Sequence, residues 1–269
     1  MSGSAGRLDS ALVARGLARS RSHAATLIRD GRVSVDGRPV TKPAAPVADA
    51  QEIGVDADEG WVSRAAAKLI GALDAFGIDP AGRLCLDAGA STGGFSQVLL
   101  ARGADRVIAV DVGHGQLSPA LEPELRSGRL VSLEGVNVRE LTAARLEPQT
   151  RGRAIELVVA DLSFISLTLV LPALASTAPS AELVVLIKPQ FEVGRGGVRE
   201  GIVRDAGLRA EAIEGVLWAA HDAGLGVAGL APSPILGTHG NSEVLAHLGP
   251  SVGGSPSEWS GRIAELSGG

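Results

Sequence analysis

The sequence predicts an α/β protein in which a parallel sheet with crossover helices follows a small α+β module. From Trp61 onward, short apolar runs rich in β-branched residues alternate with stretches of helical periodicity. The first 48 residues show a different pattern, with two short amphipathic runs before an alternating stretch. Of the 269 residues, 45% are hydrophobic and 20% are charged, so the chain can bury a core and is not disordered as a whole.

The N-terminal module is predicted to contain two helices and a hairpin. Apolar residues fall at helical spacing over 8–17 and again over 24–28. The dipeptide Asp36-Gly37, beside the alternating residues 32–36, is a strong turn signal. The acid-rich stretch 49–59 is interpreted as the exit from this module and as a linker, which predicts a domain over residues 1–59.

The body is predicted to occupy residues 60–248. The remaining residues, 249–269, are rich in Gly and Ser with Trp259 as the only large anchor, so we expect a loosely ordered tail. The expected strands lie near 84–87, 107–111, 130–133, 157–160, 183–187 and 226–231, and the expected helices over 62–76, 93–102 and 205–223.

Charge is distributed unevenly along the chain. The net charge is −5, but residues 1–48 hold eight cations and three acids, a net of +5, which leaves −10 for the rest. A basic module on an acidic body is typical of a protein in which one part holds a polyanion. A solvated basic face is the alternative.

The chain is expected to be cytoplasmic and to have no membrane role. Cys85 is the only cysteine, which excludes an intramolecular disulfide and a Cys-ligated zinc site. The N-terminus has no apolar segment of the kind that secretion signals need. Residues 162–181 are uncharged, but their many Ser, Thr and Pro residues argue against a lipid span and favour a strand end and a buried helix.

Residues 7–43 resemble the S4 RNA-binding domain. The shared features include Arg7-Leu8-Asp9, Gly16-Leu17-Ala18, Ser20-Arg21 and Val35-Asp36-Gly37. In that family the helices and the hairpin present cations to structured RNA. The resemblance and the residue types together make five cations the candidate RNA contacts, namely Arg7, Arg19, Arg21, Arg29 and Lys42.

A glycine-rich turn after the first body strand, residues 87–95, indicates a nucleotide-type cofactor. Asp111 ends the second strand, where a carboxylate can accept both hydroxyls of a ribose, and this spacing alone also permits NAD. Two features favour S-adenosylmethionine. The loop lacks the G-x-G-x-x-G arrangement that cradles pyrophosphate, and Asp87 would repel a phosphate but suits a cationic ligand.

Asp111, Asp161 and Lys188 each follow directly after an apolar strand. Because parallel strands deliver their carboxyl ends to one edge of the sheet, we expect these residues to converge. Lys188 ends a buried strand, where desolvation favours the neutral amine and makes a general base plausible. A neighbouring carboxylate, Asp161, would oppose that effect while orienting the amine.

Residues 61–248 resemble the FtsJ-like branch of Rossmann methyltransferases, and the whole chain resembles the TlyA family of ribosomal RNA ribose methyltransferases, also labelled hemolysins. The motifs that carry the resemblance are 62–64, 68–69, 87–95, 109–113, 116–117, 161–167, 186–192, 201–205, 233–235 and 240–243. The resemblance implies a Rossmann-like class I methyltransferase fold. It also implies a Lys-Asp-Lys-Glu tetrad formed by Lys68, Asp161, Lys188 and Glu243.

The same resemblance implies a cofactor site for S-adenosylmethionine and roles within the tetrad. Lys188 would take the proton from a ribose 2′-hydroxyl while the other three position it and tune the charge. The implied cofactor-binding residues are Asp87, Gly89, Ser91, Thr92, Gly93, Gly94, Phe95, Asp111, Val112, Asn137 and Asp161. No metal site is expected.

The predicted function is methyl transfer to a ribose 2′-oxygen, with a cytidine of 16S or 23S ribosomal RNA, or both, as substrate. Lys188-Pro189-Gln190-Phe191 stands where enzymes that methylate exocyclic amines carry Asp or Asn before Pro-Pro and an aromatic residue. One alternative is a non-catalytic RNA-binding assembly factor, which retention of the tetrad disfavours. A pore-forming hemolysin is the other, and the sequence offers no span or amphipathic membrane segment for it.

Overall fold

In a computed structural model, the protein divides into two compact units, Met1–Arg64 and Ala65–Gly269. The structure describes residues 6–18, 20–29, 31–55, 60–194, 197, 201–237 and 240–268. Each unit has its own apolar core and therefore constitutes a separate fold.

The N-terminal unit contains the two predicted helices and the predicted hairpin. Strand β1 and helix α1 come first, then helix α2, and the hairpin turns at Asp36 and Gly37, both of which have positive φ. The apolar faces of the two helices bury Leu8, Leu12 and Ile28. The elements are β1 (Gly6–Arg7), α1 (Leu8–Ala14), α2 (Arg21–Arg29), β2 (Val33–Val35), β3 (Arg38–Pro39), β4 (Pro46–Val47) and β5 (Ile53–Val55).

The stretch expected to be a linker contributes to this unit. Strand β5 pairs antiparallel with β2, with Val33 opposite Val55 and Val35 opposite Ile53, while β4 pairs with β1. Ile53 is buried because this pairing places it on the module core. The interpretation of 49–59 as a plain linker is therefore wrong for residues 53–55, and residues 56–59 lie outside those described.

The described residues of the second unit form a seven-stranded sheet in the order β11-β12-β10-β9-β6-β7-β8. Strands β6 to β10 are parallel, and all five residues of β6 are buried, as expected for a sheet covered on both faces. The strands are β6 (Leu84–Ala88), β7 (Arg106–Val110), β8 (Leu130–Leu133), β9 (Leu157–Ala160), β10 (Glu182–Ile187), β11 (Gly226–Pro232) and β12 (Val244–Gly249).

Strand β12 is a strand of this sheet that the sequence pattern did not predict. It lies between β10 and β11 and runs antiparallel to both, so the sheet is mixed and not wholly parallel. The six predicted strands are all present. Because β12 runs against its neighbours, its first residue lies at the carboxyl edge of β10, where Ile187 pairs with Val244.

Helices pack against this sheet and against one another. Helices α3 and α4 contact each other and the strands, and α7, α9 and α10 surround the large core cluster that includes Ile213 and Leu217. The helices are α3 (Ala65–Phe76), α4 (Gly94–Ala101), α5 (Glu122–Ser127), α6 (Ala143–Thr150), α7 (Leu171–Thr177), α8 (Pro189–Glu192), α9 (Ala206–Asp222) and α10 (Ser260–Leu266). Within the described residues, no helix has both the length and the apolar character needed to cross a bilayer.

The expectation of a loosely ordered tail is wrong. A capping box between Ser255 and Glu258 starts a 3₁₀ turn that continues into α10. Ile263 is buried, Trp259 packs against the large core cluster, and Gly254 bridges to Val227 of β11. The Gly and Ser residues of this segment therefore belong to helix caps and turns, and their abundance does not indicate disorder.

Candidate active site

The four tetrad residues come together at the carboxyl edge of the sheet. Asp161 follows β9 and Lys188 follows β10, so their convergence is a direct result of parallel strands. Glu243 precedes β12, and the antiparallel direction of that strand brings it to the same edge. Lys68 reaches the group from helix α3.

Two lysines and two carboxylates alternate in this tetrad. Lys68 Nζ lies 2.6 Å from Glu243 Oε2 and 3.8 Å from Asp161 Oδ2. Lys188 Nζ lies 2.6 Å from Asp161 Oδ1. Asp161 thus stands between the two amines, and the four formal charges cancel.

The tetrad is largely withdrawn from water. The side chains of Lys68, Lys188 and Glu243 are 7%, 8% and 2% exposed, and that of Asp161 is 15% exposed. Buried ions of this kind persist only when paired, since isolating one of them costs several kcal/mol. The arrangement is therefore a coupled unit in which each ion depends on its partner.

Ser163 is a functional candidate to which sequence reasoning assigned no role. Lys188 Nζ donates a hydrogen bond of 2.9 Å to Ser163 Oγ. Its place two residues after Asp161 is the signal that could have identified it, because both residues follow the same buried strand. Lys188 is consequently held by an ion pair with the Asp161 carboxylate and by a hydrogen bond to the Ser163 hydroxyl.

Phe164 is a second residue without an assigned role. Its side chain is 92% exposed and its φ is +65°, a conformation that costs an aromatic residue free energy. Its ring centroid is 5.3 Å from that of Phe191, and Lys188 Nζ is 5.9 Å from the Phe191 centroid. The loop therefore has a strained backbone at Phe164 and presents the exposed ring of this residue close to the tetrad.

Glu192 of α8 holds this loop from the other side. Its carboxylate accepts the Leu167 N–H at 2.9 Å and the Ser166 hydroxyl. Burial raises the pKa of Glu192, and the two hydrogen bonds partly oppose that effect. This carboxylate joins the segments that follow β9 and β10.

A cavity of about 580 Å³ opens beside the tetrad, and we call it the cofactor cavity. That volume lies within the range of small-molecule sites. Asp161 and Ser163 contribute to its wall, so the cavity and the tetrad share residues. The wall is formed by Gly89, Ser91, Asp111, Val112, Gln116, Val136, Asn137, Val138, Asp161, Leu162, Ser163, Phe164, Ile165 and Val170.

The turn after β6 shapes one side of the cofactor cavity. Gly89 has a φ of +87°, and a Cβ there would lie 2.8 Å from Leu162 Cδ2 and 2.9 Å from the Asp161 carbonyl oxygen. Only glycine permits that approach. Asp111 ties the turn to β7, because its Oδ2 accepts the Ser91 N–H at 2.8 Å and its Oδ1 accepts the Gly113 N–H at 2.7 Å.

The wall fits a cationic cofactor better than a pyrophosphate. Asp111 and Asp161 are acidic, and no Lys or Arg is among the described residues of the wall. A carboxylate offers about four acceptor positions, so Asp111 can still receive ribose hydroxyls after binding two backbone N–H groups. This distribution favours S-adenosylmethionine over NAD, the alternative that the spacing left open.

Six of the eleven predicted cofactor residues line this cavity and five do not. Those in the wall are Gly89, Ser91, Asp111, Val112, Asn137 and Asp161. The remaining five, Asp87, Thr92, Gly93, Gly94 and Phe95, lie outside the wall, and most of them are buried beneath the turn. Gly93, with a φ of +90°, is the N-cap of α4, so its role is to start that helix.

Asp87 is fully buried, which explains its absence from the wall. Its Oδ2 accepts the Ser96 hydroxyl at 2.7 Å, while its Oδ1 has no hydrogen-bond partner among the described residues. Burial raises the pKa of Asp87 to about 7. The sequence suggested that Asp87 contacts a cationic ligand directly. The buried side chain does not reach the cavity wall and so does not provide that contact.

Four of the five candidate RNA contacts are exposed on the N-terminal unit. They are Arg7, Arg21, Arg29 and Lys42, and Arg19 lies outside the described residues. Arg7 and Arg21 both pair with Asp9, at 2.8 and 3.3 Å. A basic surface is therefore present on this unit, and two of its cations, Arg7 and Arg21, are held by ion pairs with Asp9.

The fold and the site define a Rossmann-like class I methyltransferase with S-adenosylmethionine as its cofactor. The model of the FtsJ-like methyltransferase family matches residues 61–250, and that of the S4 domain matches residues 6–53. The chain belongs to the FtsJ-like methyltransferase family and, within it, to the TlyA family.

Known relatives are similar over nearly the whole chain. A protein of Mycobacterium tuberculosis named 16S/23S rRNA (cytidine-2′-O)-methyltransferase TlyA is 52% identical over 90% of this chain and 89% of its own length. Hemolysin A of Brachyspira hyodysenteriae is 39% identical over 90% and 99%. A solved structure described as a candidate hemolysin from Streptococcus thermophilus has a TM-score of 0.74 at 35% identity, covering 98% and 96% of the two chains.

Proposed function

We propose that the protein transfers a methyl group to the 2′-hydroxyl of a ribose in ribosomal RNA. The observation that carries this proposal is the position of Lys188, whose amine is held by Asp161 and Ser163 at the wall of the cofactor cavity. We further propose cytidine as the nucleotide, in 16S or 23S RNA or both. The name of the Mycobacterium tuberculosis relative supports that choice.

Lys188 has the geometry of a general base in this reaction. A neutral amine has two N–H donors and one lone pair. One donor serves Ser163 Oγ and Asp161 Oδ1 lies 2.6 Å from Nζ as the ion-pair partner, which leaves the lone pair for the proton of the 2′-hydroxyl. A sugar hydroxyl needs such a base because it is a poor nucleophile until it loses its proton.

Lys68 and Glu243 set the charge around that base. Lys68 shares the Asp161 carboxylate with Lys188, so one acid pairs with both amines. Glu243 binds Lys68 directly and keeps that cation in place. Asp161 orients both amines, so we propose Lys68, Asp161, Lys188 and Glu243 as the catalytic group.

S-adenosylmethionine supplies an electrophilic methyl group on a sulfonium when it is bound. We propose that Asp111 receives its ribose, that Val112 and Asn137 contact its base, and that Gly89, Ser91 and Asp161 border the remainder. Asp87, Thr92, Gly93, Gly94 and Phe95 shape the turn from beneath. Phe164, exposed at the same site, offers a face on which an RNA base can stack.

The N-terminal residues 1–59 are proposed to hold the RNA, and residues 60–248 to carry out the transfer. The S4 match and the net charge of +5 over residues 1–48 support this division. Contacts from Arg7, Arg19, Arg21, Arg29 and Lys42 to phosphates would supply affinity with little sequence discrimination. Ribosomal RNA as substrate implies action in the cytoplasm.

The test incubates purified 30S and 50S subunits with the protein and methyl-labelled S-adenosylmethionine, then hydrolyses the RNA in alkali. We expect label in dinucleotides that resist cleavage, because a 2′-O-methyl ribose cannot form the cyclic phosphate. Label in mononucleotides would indicate base methylation and contradict the proposal. Binding of subunits without any labelled product would favour the assembly-factor alternative.

A further inference from the structure

The N-terminal unit contains a buried carboxylate beneath two exposed guanidinium groups. Asp9 lies in the first turn of α1, and its side chain is 6% exposed, whereas those of Arg7 and Arg21 are 52% and 62% exposed. Arg7 Nε donates to Asp9 Oδ1 at 3.1 Å and Arg7 Nη2 donates to Oδ2 at 2.8 Å. Arg21 Nη2 donates to the same Oδ2 at 3.3 Å.

These contacts fix the direction of Arg7 and anchor Arg21 to the same carboxylate oxygen, and we call the two residues the arginine pair. A two-point contact between a guanidinium and a carboxylate sets the plane of the guanidinium as well as its position. Arg7 precedes α1 and Arg21 is the first residue of α2, so Asp9 joins cations from two different helix starts. A guanidinium has five N–H donors, and most of them remain for an external anion after Asp9 has been bound.

Arg15 shows what a purely structural arginine does in the same unit. Its guanidinium donates to three backbone carbonyl oxygens, those of Ala48, Asp49 and Gln51, at 2.6–3.2 Å. Those bonds tie the end of α1 to the segment after β4. The arginine pair differs because its partner is one buried carboxylate and not a set of backbone carbonyl oxygens.

We propose that Asp9 is a positioning residue for RNA: it holds Arg7 and Arg21 side by side as one fork for a backbone phosphate. This inference rests on the proposed RNA-binding function of the N-terminal unit. Pre-oriented side chains lose less conformational freedom on binding, which is how an acidic residue can increase affinity for a polyanion.

Charge alone makes the opposite prediction. Replacing Asp9 with a neutral residue raises the net charge of residues 1–48 above +5, and a more basic module binds RNA more tightly if only long-range attraction matters. If orientation of the arginine pair matters more, the same replacement weakens binding. The sign of the effect therefore separates the two explanations.

The experiment measures the affinity of the full chain for purified ribosomal RNA at several salt concentrations. We expect Asp9→Asn to bind about fivefold more weakly and the salt slope to decrease by about one unit, as one phosphate contact is lost. Asp49→Asn is the matched control, since Asp49 is an exposed acid in the same unit, and it should bind as well as the wild type or better.

A variant cycle separates positioning from a general structural role. In a chain carrying Arg7→Ala and Arg21→Ala, adding Asp9→Asn should cause no further loss, because the groups it positions are gone. Arg7→Lys covers the case in which Asp9→Asn prevents folding, for it keeps the charge and removes the two-point contact. It should weaken binding about as much as Asp9→Asn does.

Two different outcomes would overturn two different claims. Wild-type affinity or tighter binding in both Asp9→Asn and Arg7→Lys would contradict the positioning role while leaving RNA binding intact. An additional loss in the variant cycle would do the same. If the chain lacking both arginines binds ribosomal RNA like the wild type, the proposed RNA-binding role of this surface is itself wrong.

Discussion

Asp9 in the N-terminal unit and Asp87 in the body are both buried, yet their pKa values shift in opposite directions. The hydrogen bonds from the Arg7 guanidinium, with help from Arg21, hold the pKa of Asp9 well below its usual range. Burial raises the pKa of Asp87 to about 7, because its described partner is only the Ser96 hydroxyl and backbone. The partner of a buried carboxyl, more than burial itself, decides its charge.

The same contrast separates the two units as a whole. Arg7 and Arg21 of the N-terminal unit face water, where they can meet a polyanion at a distance. The lysines of the tetrad are buried and their charge is cancelled by Asp161 and Glu243. The first arrangement suits capture, and the second suits proton transfer in a site that excludes water.

The largest expected effect tests this division of labour with one lysine from each unit. Lys188→Ala should lower kcat by about 10²–10⁴-fold, the usual contribution of a general base, while calorimetry shows unchanged cofactor binding. Lys42→Ala should raise KM for ribosomal subunits and leave kcat as it is. Normal methylation by Lys188→Ala would contradict the assignment of Lys188 as the base. A lower kcat in Lys42→Ala would contradict the separation of RNA capture from catalysis.

A second test uses the opposite pKa shifts of the two aspartates. Asp87 has a folded-state pKa of about 7 against an ordinary 3.8, so the folded body binds the extra proton and loses stability as the pH rises from about 4 to about 7. This loss is at most about 4 kcal/mol, and Asp87→Asn should abolish it.

The measurement is denaturant unfolding followed by tryptophan fluorescence, since Trp218 and Trp259 report on the body. Asp9 provides the comparison in the N-terminal unit. Its lowered pKa predicts stability that is present above about 3.8 and lost as the pH falls further, the reverse of Asp87. Identical pH profiles for the wild type and Asp87→Asn would mean that this carboxyl is not buried in solution.

A smaller effect is expected from breaking one buried ion pair. Glu243→Ala leaves Lys68 with Asp161 at 3.8 Å as its remaining carboxylate, and should lower the free energy of unfolding by about 3 kcal/mol. Glu122→Ala removes an exposed partner of Arg126 in the same unit and should cost less than about 1 kcal/mol. Equal costs would show that the tetrad is accessible to water.

The six body strands that were predicted could be recognised because each is a short apolar run with a clear boundary. Strand β12 was not predicted because His247 and the glycine at its end interrupt the apolar pattern, and because its partners β10 and β11 precede it in sequence. Strand β5 escaped for a similar reason, since its pairing with β2 joins residues about twenty positions apart. The capping box before helix α10 could have been recognised in the sequence, but the Gly- and Ser-rich composition of the segment led to a prediction of disorder.

The sequence by itself determined the two units, the order of the parallel strands along the chain and the convergence of Asp161 with Lys188, because local periodicity and the direction of parallel strands are sufficient for those. The family resemblance implied that Lys68 and Glu243 join them, but only the tertiary structure showed how they do so, that Asp87 lies beneath the cofactor cavity, and that Asp9 organises two arginines. Those facts depend on an antiparallel strand inserted late in the chain and on side-chain packing, and neither leaves a local pattern in the sequence.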